Sequence, residues 1–254
     1  MNSERDIHIL FRDKYKSHWQ TDFLNDVERL KNGEPLDFVV GWMPFLKCKI
    51  DLRYRPLIPR PETEYWTELA VKKIKKLGDV KVLDIFSGSG AIGIAVLKHC
   101  KKAKVDFGEF EPELIKQITY NLKLNKLNGK TTKVFCSDIF ENIKDKYDFI
   151  LANPPYIPIA RKNKVHTSVI KYEKSSSLWG GKDGLFFIKK FLRGAKAHLL
   201  PSGEIWMEFD SPEKNKIATL CQNLGYGFTP KKDQYNKWRY AVIHLNRQPK
   251  TYNL

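Results

Sequence analysis

Four consecutive residues, Asn153-Pro154-Pro155-Tyr156, carry the most specific chemistry in the chain. Two successive prolines fix φ and supply no N–H donors, so the Pro154 carbonyl is held in one direction. With the Asn153 side-chain oxygen it offers two acceptors. A planar NH₂ group offers two matching donors, and Tyr156 can lie over a flat amide or base. An amide or aromatic amine is a weak nucleophile because its lone pair is delocalised. Acceptors on both hydrogens push density back onto nitrogen and aim it at an electrophile. The chemistry these residues suit is in-line transfer of an activated methyl, such as a sulfonium methyl, by positioning and electrostatics. It requires no dedicated general base, because the proton can leave once nitrogen is cationic. Catalysis is therefore expected at Asn153, Pro154 and Tyr156, and substrate binding at those residues together with Pro155.

Such a reaction needs a bound methyl donor, and three further segments offer one a place. Val82-Leu83-Asp84-Ile85-Phe86-Ser87-Gly88-Ser89-Gly90-Ala91-Ile92 reads as a buried strand, a tight turn and a helix start. Gly88 and Gly90 allow the sharp turn and a close ligand, and the helix N-terminus favours a carboxylate. The next strand ends at Glu109, placed to accept from ribose hydroxyls. A third ends at Asp138-Ile139, where a carboxylate can accept from an adenine amine and an apolar side chain can pack on the ring. Each feature alone is an ordinary turn or cap. The expected cofactor site is Phe86, Ser87, Gly88, Ser89, Gly90, Glu109, Asp138, Ile139 and Asn153, and the expected cofactor is S-adenosyl-L-methionine. NAD fits less well, because Ser87-Gly88-Ser89-Gly90 lacks the G-x-G-x-x-G spacing.

These residues must be positioned by the elements around them. From residue 80 onward apolar strands alternate with amphipathic helices. Strands are expected at 80–86, 104–109, 132–136, 147–152, 203–209, 226–230 and 238–245. Helices are expected at 62–76, 90–99, 112–125, 184–199 and 212–224, with a short irregular one near 140–145. That alternation predicts an α/β fold, a Rossmann-like, doubly wound, seven-stranded, mostly parallel sheet. Ligands bind such sheets at the carboxyl ends of the strands, where all four segments fall. Ahead of it, residues 1 to about 32 read as short polar helices, and 37–52 as a strand, a glycine-containing turn and a second strand. The expected organisation is a short helical segment with a β-hairpin over 1–55 and a catalytic domain over 56–254. Residues 159–177 form a long polar loop, with His166 on its surface.

The chain has 254 residues, enough for one large domain and a small appendage. Its 45 Lys and Arg against 29 Asp and Glu leave a net charge of +16. That charge suits work beside RNA, although the lysines are dispersed along the chain. No apolar run reaches the roughly 18 residues of a membrane span. The N-terminus lacks the apolar region of a secretory signal and carries the acids that transit peptides avoid. Four cysteines without C-x-x-C and six histidines without H-E-x-x-H point away from disulfides and metal. The expected setting is a reducing one, the cytoplasm or alternatively a mitochondrial matrix.

The sequence resembles the protein-(glutamine-N5) methyltransferases of the HemK/PrmC type, which methylate peptide chain release factors. Carrying the resemblance are Gly33-Glu34-Pro35, Leu57-Ile58-Pro59-Arg60-Pro61-Glu62-Thr63-Glu64, the Asp84–Ile92 loop, Asn153–Pro158, and Leu178-Trp179-Gly180-Gly181-Lys182-Asp183-Gly184-Leu185. It implies a class I methyltransferase fold, S-adenosylmethionine as cofactor, and the glutamine of a Gly-Gly-Gln (GGQ) motif as acceptor. It also implies that Arg60–Glu64 lies beside the cofactor. There are two departures. Phe86-Ser87 stands where the family has Gly-Thr, and the region before Ile58 is shorter than the family's usual helical domain. Two rival readings are a nucleic-acid adenine or guanine methyltransferase using the same loop, and a non-enzymatic RNA-binding module.

Overall fold

The computed structural model describes residues 4–127 and 132–246. Residues 1–3, at the start of the expected N-terminal helical segment, lie outside the described residues.

The helices are α1 (Glu4–Asp13), α2 (Asp22–Lys31), α3 (Leu36–Val40), α4 (Pro61–Leu77), α5 (Ala91–His99), α6 (Pro112–Leu124), α7 (Thr167–Tyr172), α8 (Phe186–His198) and α9 (Lys214–Asn223). The strands are β1 (Trp42–Phe45), β2 (Cys48–Asp51), β3 (Lys81–Ile85), β4 (Lys104–Glu109), β5 (Val134–Cys136), β6 (Tyr147–Ala152), β7 (Leu199–Glu208), β8 (Tyr226–Lys232) and β9 (Trp238–Leu245). Seven strands form one sheet in the order β5-β4-β3-β6-β7-β9-β8. β3 to β7 run parallel, and β9 is antiparallel to both β7 and β8. The strand order reverses between β3 and β6, which opens a crevice at their carboxyl ends.

Strand side chains alternate between two cores, as a sheet covered on both faces requires. Val82, Val105, Phe149, Leu151 and Trp206 pack with α4, α5 and α6. Leu83, Ile85, Ile150, Ile205 and Met207 pack with α8 and α9. A third cluster joins Leu10, Tyr15, Phe23, Val27, Leu30, Val39 and Val40.

Three expectations need correction. Residues 37–40 are helix, not strand, and the first hairpin strand begins only at Trp42. Burial of Phe38, Val39 and Val40 overrides the low helix propensity of valine. Gly41 ends that helix with φ 90° and does not form the hairpin turn. The turn is Leu46-Lys47, with φ 44° and 63°. Positive φ at both central residues marks a primed turn, normally Asn-Gly. Here tertiary contacts hold it: Leu46 N–H donates to Glu64 at 2.6 Å, and His99 Nε2 sits 2.6 Å from the Leu46 carbonyl oxygen.

Residues 140–145 are not helical: turns over 140–142 give way to irregular chain. Ser137 Oγ accepts from Asn142 N–H at 3.0 Å, and Asn142 Nδ2 donates to the Cys136 carbonyl at 2.7 Å. Such side-chain bonds compete with helical ones. The 159–177 segment is not an open loop. It holds 3₁₀ turns at Ile159–Lys164 and Ser175–Ser177, with α7 between them.

The hairpin is fastened by side-chain amides along α6 and at its C-cap. Asn125 Oδ1 accepts from Lys49 N–H at 3.0 Å, Asn121 Oδ1 from Asp51 N–H at 2.9 Å, and Gln117 Oε1 from Tyr54 N–H at 2.9 Å. Asn121 Nδ2 also donates to the Ser89 carbonyl at 2.9 Å, which ties the hairpin to the first glycine-rich loop.

Candidate active site

At the crevice, the ends of β3, β4 and β6 and the β5 loop enclose a cavity of about 320 Å³. Phe86 and Gly88 line it from the loop after β3, and Glu109 from β4. Asp138 and Ile139 follow β5, and Asn153 and Pro155 follow β6. The structure therefore brings the four sequence segments to one place. Ser87, Ser89 and Gly90 lie behind the wall. Ser87 Oγ donates to the Asp84 carbonyl at 2.8 Å, Ser89 is buried, and Gly90 starts α5.

Two wall residues are strained. Phe86 has φ 58° and Ile139 φ 56°. Left-handed backbone in a bulky residue costs about 1–3 kcal/mol and persists where the surroundings enforce it. Phe86 occupies the position where the resembling family has glycine. Its ring packs edge-on against Phe187 and Phe191, with centroids 6.3 and 5.9 Å away. Gly88, with φ 55°, faces open space, so nothing on its α-carbon obstructs the cavity.

Glu109 is 8% exposed. Its Oε2 accepts from Gly88 N–H at 2.7 Å, and its Oε1 from Phe110 and Glu111 N–H at 2.9 and 3.0 Å. Burial lifts its pKa above the usual carboxylate range, against the pull of those three N–H groups. Deeper still, Asp84 accepts from Gly93 N–H at 2.8 Å, and burial raises its pKa strongly. The Asp138 carboxylate reaches Lys190 on α8 at 2.5 Å, so it reaches the cavity already paired.

The Asn153–Tyr156 loop is packed from beneath by the 178–184 segment. Ile157 N–H donates to the Leu178 carbonyl at 3.1 Å, and Gly180 N–H to the Ile157 carbonyl at 2.9 Å. A Cβ on Gly180 would sit 2.7 Å from the Pro155 carbonyl oxygen, and one on Gly184 2.5 Å from that of Tyr156. Only glycine admits this approach. Among the described residues no hydrogen bond occupies the Pro154 carbonyl or Asn153 Oδ1, although Pro154 itself is buried. Tyr156 is partly buried, and its hydroxyl donates to Glu208 at 3.0 Å.

The far side of the cavity is closed by Leu57, Ser176 and Ser177. Arg60 holds that side by pairing with buried Glu173 at 2.5 Å, and Lys174 by pairing with Glu113 at 2.5 Å. His166 is exposed and caps α7. Among the described residues no group of three or more His, Cys, Asp or Glu could hold a metal ion.

This geometry can be set beside known proteins. A sequence profile of the methyltransferase small domain matches residues 62–175. The chain is 32% identical over 195 residues to the release factor glutamine methyltransferase of Lactococcus lactis subsp. lactis, covering 77% of this chain and 71% of that one. It is 31% identical over 203 residues to the release factor glutamine methyltransferase of Thermodesulfovibrio yellowstonii, covering 79% and 72%. The chain belongs to the release factor glutamine methyltransferase family. A ribosomal protein L11 methylase from Lactobacillus delbrueckii subsp. bulgaricus shares the fold, with TM-score 0.57 at 16% identity over 77% of this chain and 83% of that one. By family and fold the enzyme is an S-adenosylmethionine-dependent methyltransferase.

The wall fits that cofactor. A buried carboxylate with one lone pair left on Oε2, a glycine opening onto free space and an apolar flank of Phe86 and Ile139 match its ribose, backbone and base. Sequence reasoning missed Glu208, Trp66 and the packing role of Gly180. The one available signal for Glu208 was an acid at the carboxyl end of an apolar strand.

Proposed function

We propose that the enzyme transfers a methyl group from S-adenosylmethionine to the side-chain amide nitrogen (N5) of the glutamine in the GGQ motif of a peptide chain release factor. The observation that carries this reading is the shared wall: Asn153 and Pro155 line the same cavity as Phe86, Gly88 and Glu109. A group held by the one loop is thereby presented to a group held by the other.

The cofactor supplies an electrophilic methyl on sulfonium sulfur. Phe86 to Gly90 shape the loop that receives it. Glu109 accepts from ribose hydroxyls, and Ile139 and Asp138 face the base, with Asp138 shared with Lys190. Asn153 Oδ1 and the Pro154 carbonyl accept the two amide hydrogens of the glutamine and leave its nitrogen lone pair free to attack. Pro155 and Tyr156 fix the plane of the amide. Catalysis is mostly positioning, and the proton leaves to solvent once nitrogen is cationic.

A protein acceptor is further supported by exposed apolar side chains near the catalytic loop. Ile159 and Phe186 are 56% and 58% exposed. Both stand beside Gly181, since Ile159 N–H donates to its carbonyl at 3.0 Å and a Cβ there would meet Phe186 at 3.0 Å. Together they offer an exposed apolar pair beside the segment that packs beneath the catalytic loop. The net charge of +16 suits a substrate that works beside ribosomal RNA. We treat residues 1–55 as an N-terminal segment with a hairpin and 56–254 as the catalytic unit. No helix among the described residues is long and apolar enough to cross a membrane, and the free cysteines fit a reducing compartment such as the cytoplasm. Incubation with isotopically labelled cofactor and, in parallel, a class I release factor, an RNA pool and a DNA pool tests the proposal. Label is expected in the release factor alone, and label only in nucleic acid would overturn it.

A further inference from the structure

Behind Asn153, outside the cavity wall, side chains from α4 and from the loop after β6 close on one carboxylate. Glu208, at the end of β7, is 1% exposed. Its Oε2 accepts from Thr63 Oγ1 and from Trp66 Nε1, each at 2.7 Å. Its Oε1 accepts from the Tyr156 hydroxyl at 3.0 Å. Asn153 Nδ2 in turn lies 3.4 Å from Thr63 Oγ1. Burial pushes the Glu208 carboxyl above its ordinary range, opposed by the donors on Trp66, Thr63 and Tyr156.

The donor and acceptor inventory makes this arrangement directional. An indole N–H can only donate, so Trp66 requires an acceptor where Glu208 Oε2 stands. A threonine hydroxyl has a single proton. With that proton committed to a carboxylate, Thr63 Oγ1 can only accept along its remaining contact. Asn153 must therefore present Nδ2 to Thr63, and its Oδ1 is turned the other way. A flipped Asn153 would set oxygen against oxygen at Thr63 and would point a donor at the donor hydrogens of a substrate amide. Amide orientation is decided by such networks and by nothing in the asparagine itself.

We infer that Glu208 and Thr63 are positioning residues: a relay of hydrogen-bond polarity, from the buried carboxylate through the threonine hydroxyl, that fixes Asn153 with its oxygen presented to the acceptor amide. The inference rests on the proposed role of Asn153 in holding that amide. The same carboxylate engages the proton of Tyr156, so it grips the Asn153–Tyr156 loop at both ends. These hydrogen bonds join α4, the β6 loop and β7 through one side chain. Neither Glu208 nor Thr63 lines the cavity. Their loss, acting through the orientation of the Asn153 amide, is therefore expected to fall on rate more than on cofactor affinity.

The test uses the full-length enzyme and its Thr63→Val, Thr63→Ser and Glu208→Gln variants. Three quantities are read: the single-turnover rate on saturating release factor, the cofactor Kd and the melting temperature. Thr63→Val keeps the side-chain shape and removes the hydroxyl; its rate is expected to fall roughly tenfold or more, with the cofactor Kd unchanged. Thr63→Ser restores the hydroxyl and most of the rate. Glu208→Gln is expected to be milder than Thr63→Val, because its oxygen can still face Thr63 and Trp66 while its NH₂ turns only Tyr156 around. Thr63→Val turning over at the wild-type rate would overturn the relay. So would equal losses in Thr63→Val and Thr63→Ser, or a loss seen in melting temperature alone. If the unvaried enzyme leaves the release factor unmethylated, it is the functional reading that fails. The relay is then judged without substrate, from the Asn153 side-chain ¹⁵N–¹H₂ signals of the cofactor-bound enzyme. A hydrogen-bonded proton signal lost in Thr63→Val supports it, and identical spectra overturn it.

Discussion

Replacing Gly180 by alanine pushes on the backbone of the catalytic loop at the Pro155 carbonyl and leaves the acceptor groups of Asn153 and Pro154 themselves unaltered. The added Cβ would lie 2.6 Å from the Gly184 carbonyl oxygen and 2.7 Å from that of Pro155, short of a 3.0 Å floor by about 0.4 and 0.3 Å. Both neighbours are backbone, so neither can swing aside. The 157–180 hydrogen bonds pass the displacement into the loop that carries Asn153. Overpacking of this kind costs roughly 1–3 kcal/mol, which lowers the melting temperature of a chain this size by roughly 2–12 °C. A misplacement of 1 Å in a catalytic array costs about 10²-fold in rate. Scaling that loss to a 0.3–0.4 Å shift predicts turnover slower by about four- to sixfold. Single-turnover methyl transfer below the melting transition reads the rate, and calorimetric titration reads cofactor affinity, which is expected to hold. A Gly180→Ala enzyme that melts lower yet turns over at the wild-type rate would refute the claim that the 178–184 segment sets the position of the loop.

Asn153→Ala is expected to abolish detectable turnover while leaving the melting temperature nearly unchanged, since Asn153 makes only a 3.4 Å bond to Thr63; equal activity in the variant contradicts its role. Glu109→Gln is expected to raise the cofactor Kd by roughly 10- to 100-fold, the worth of one or two hydrogen bonds to a charged group; an unchanged Kd by titration removes Glu109 from the ribose site. Acid is expected to loosen the N-terminal cluster before the site. Burial pulls the pKa values of Asp26 and Glu34 up, but hydrogen bonds from Lys14, Tyr15 and Arg29 to Asp26, and from Arg29 and Arg55 to Glu34, outweigh it and hold both below their ordinary values. Their contribution is present above the unfolded values near 4 and lost as pH falls through the lower folded ones. Burial raises Glu109 and Glu208 instead, so protonation relieves those two. Hydrogen exchange from pH 5 down to pH 2.5 checks the order; simultaneous loss of protection in α1–α3 and in β3–β7 contradicts it.

The sheet was legible because its signal is periodic. Apolar strands alternate with amphipathic helices along the chain, whereas the assignment of neighbours such as Val82 and Leu83 to opposite cores needed the structure. The Asn153–Tyr156 loop was legible because two prolines and an amide restrict chemistry locally. What depends on distant partners was not. Phe38–Val40 folds as helix because two cores meet there, and Leu46-Lys47 turns because Glu64 and His99 hold it. Asp138 was read as a base contact, and its partner Lys190 lies 52 residues away. The strain at Phe86 and Ile139 is a property of φ, which the residue types conceal. Glu208 gains meaning only when Thr63, Trp66 and Tyr156 arrive beside it from 145, 142 and 52 residues away.

The central claim is that the loop at Asn153 holds a glutamine amide for methylation on nitrogen. Tandem mass spectrometry of a release factor treated with enzyme and cofactor tests it most directly. A single added methyl on the side-chain nitrogen of the GGQ glutamine, absent with the Asn153→Ala enzyme, is the predicted result. A methyl found on any other residue, or one that persists in the Asn153→Ala reaction, would contradict the account.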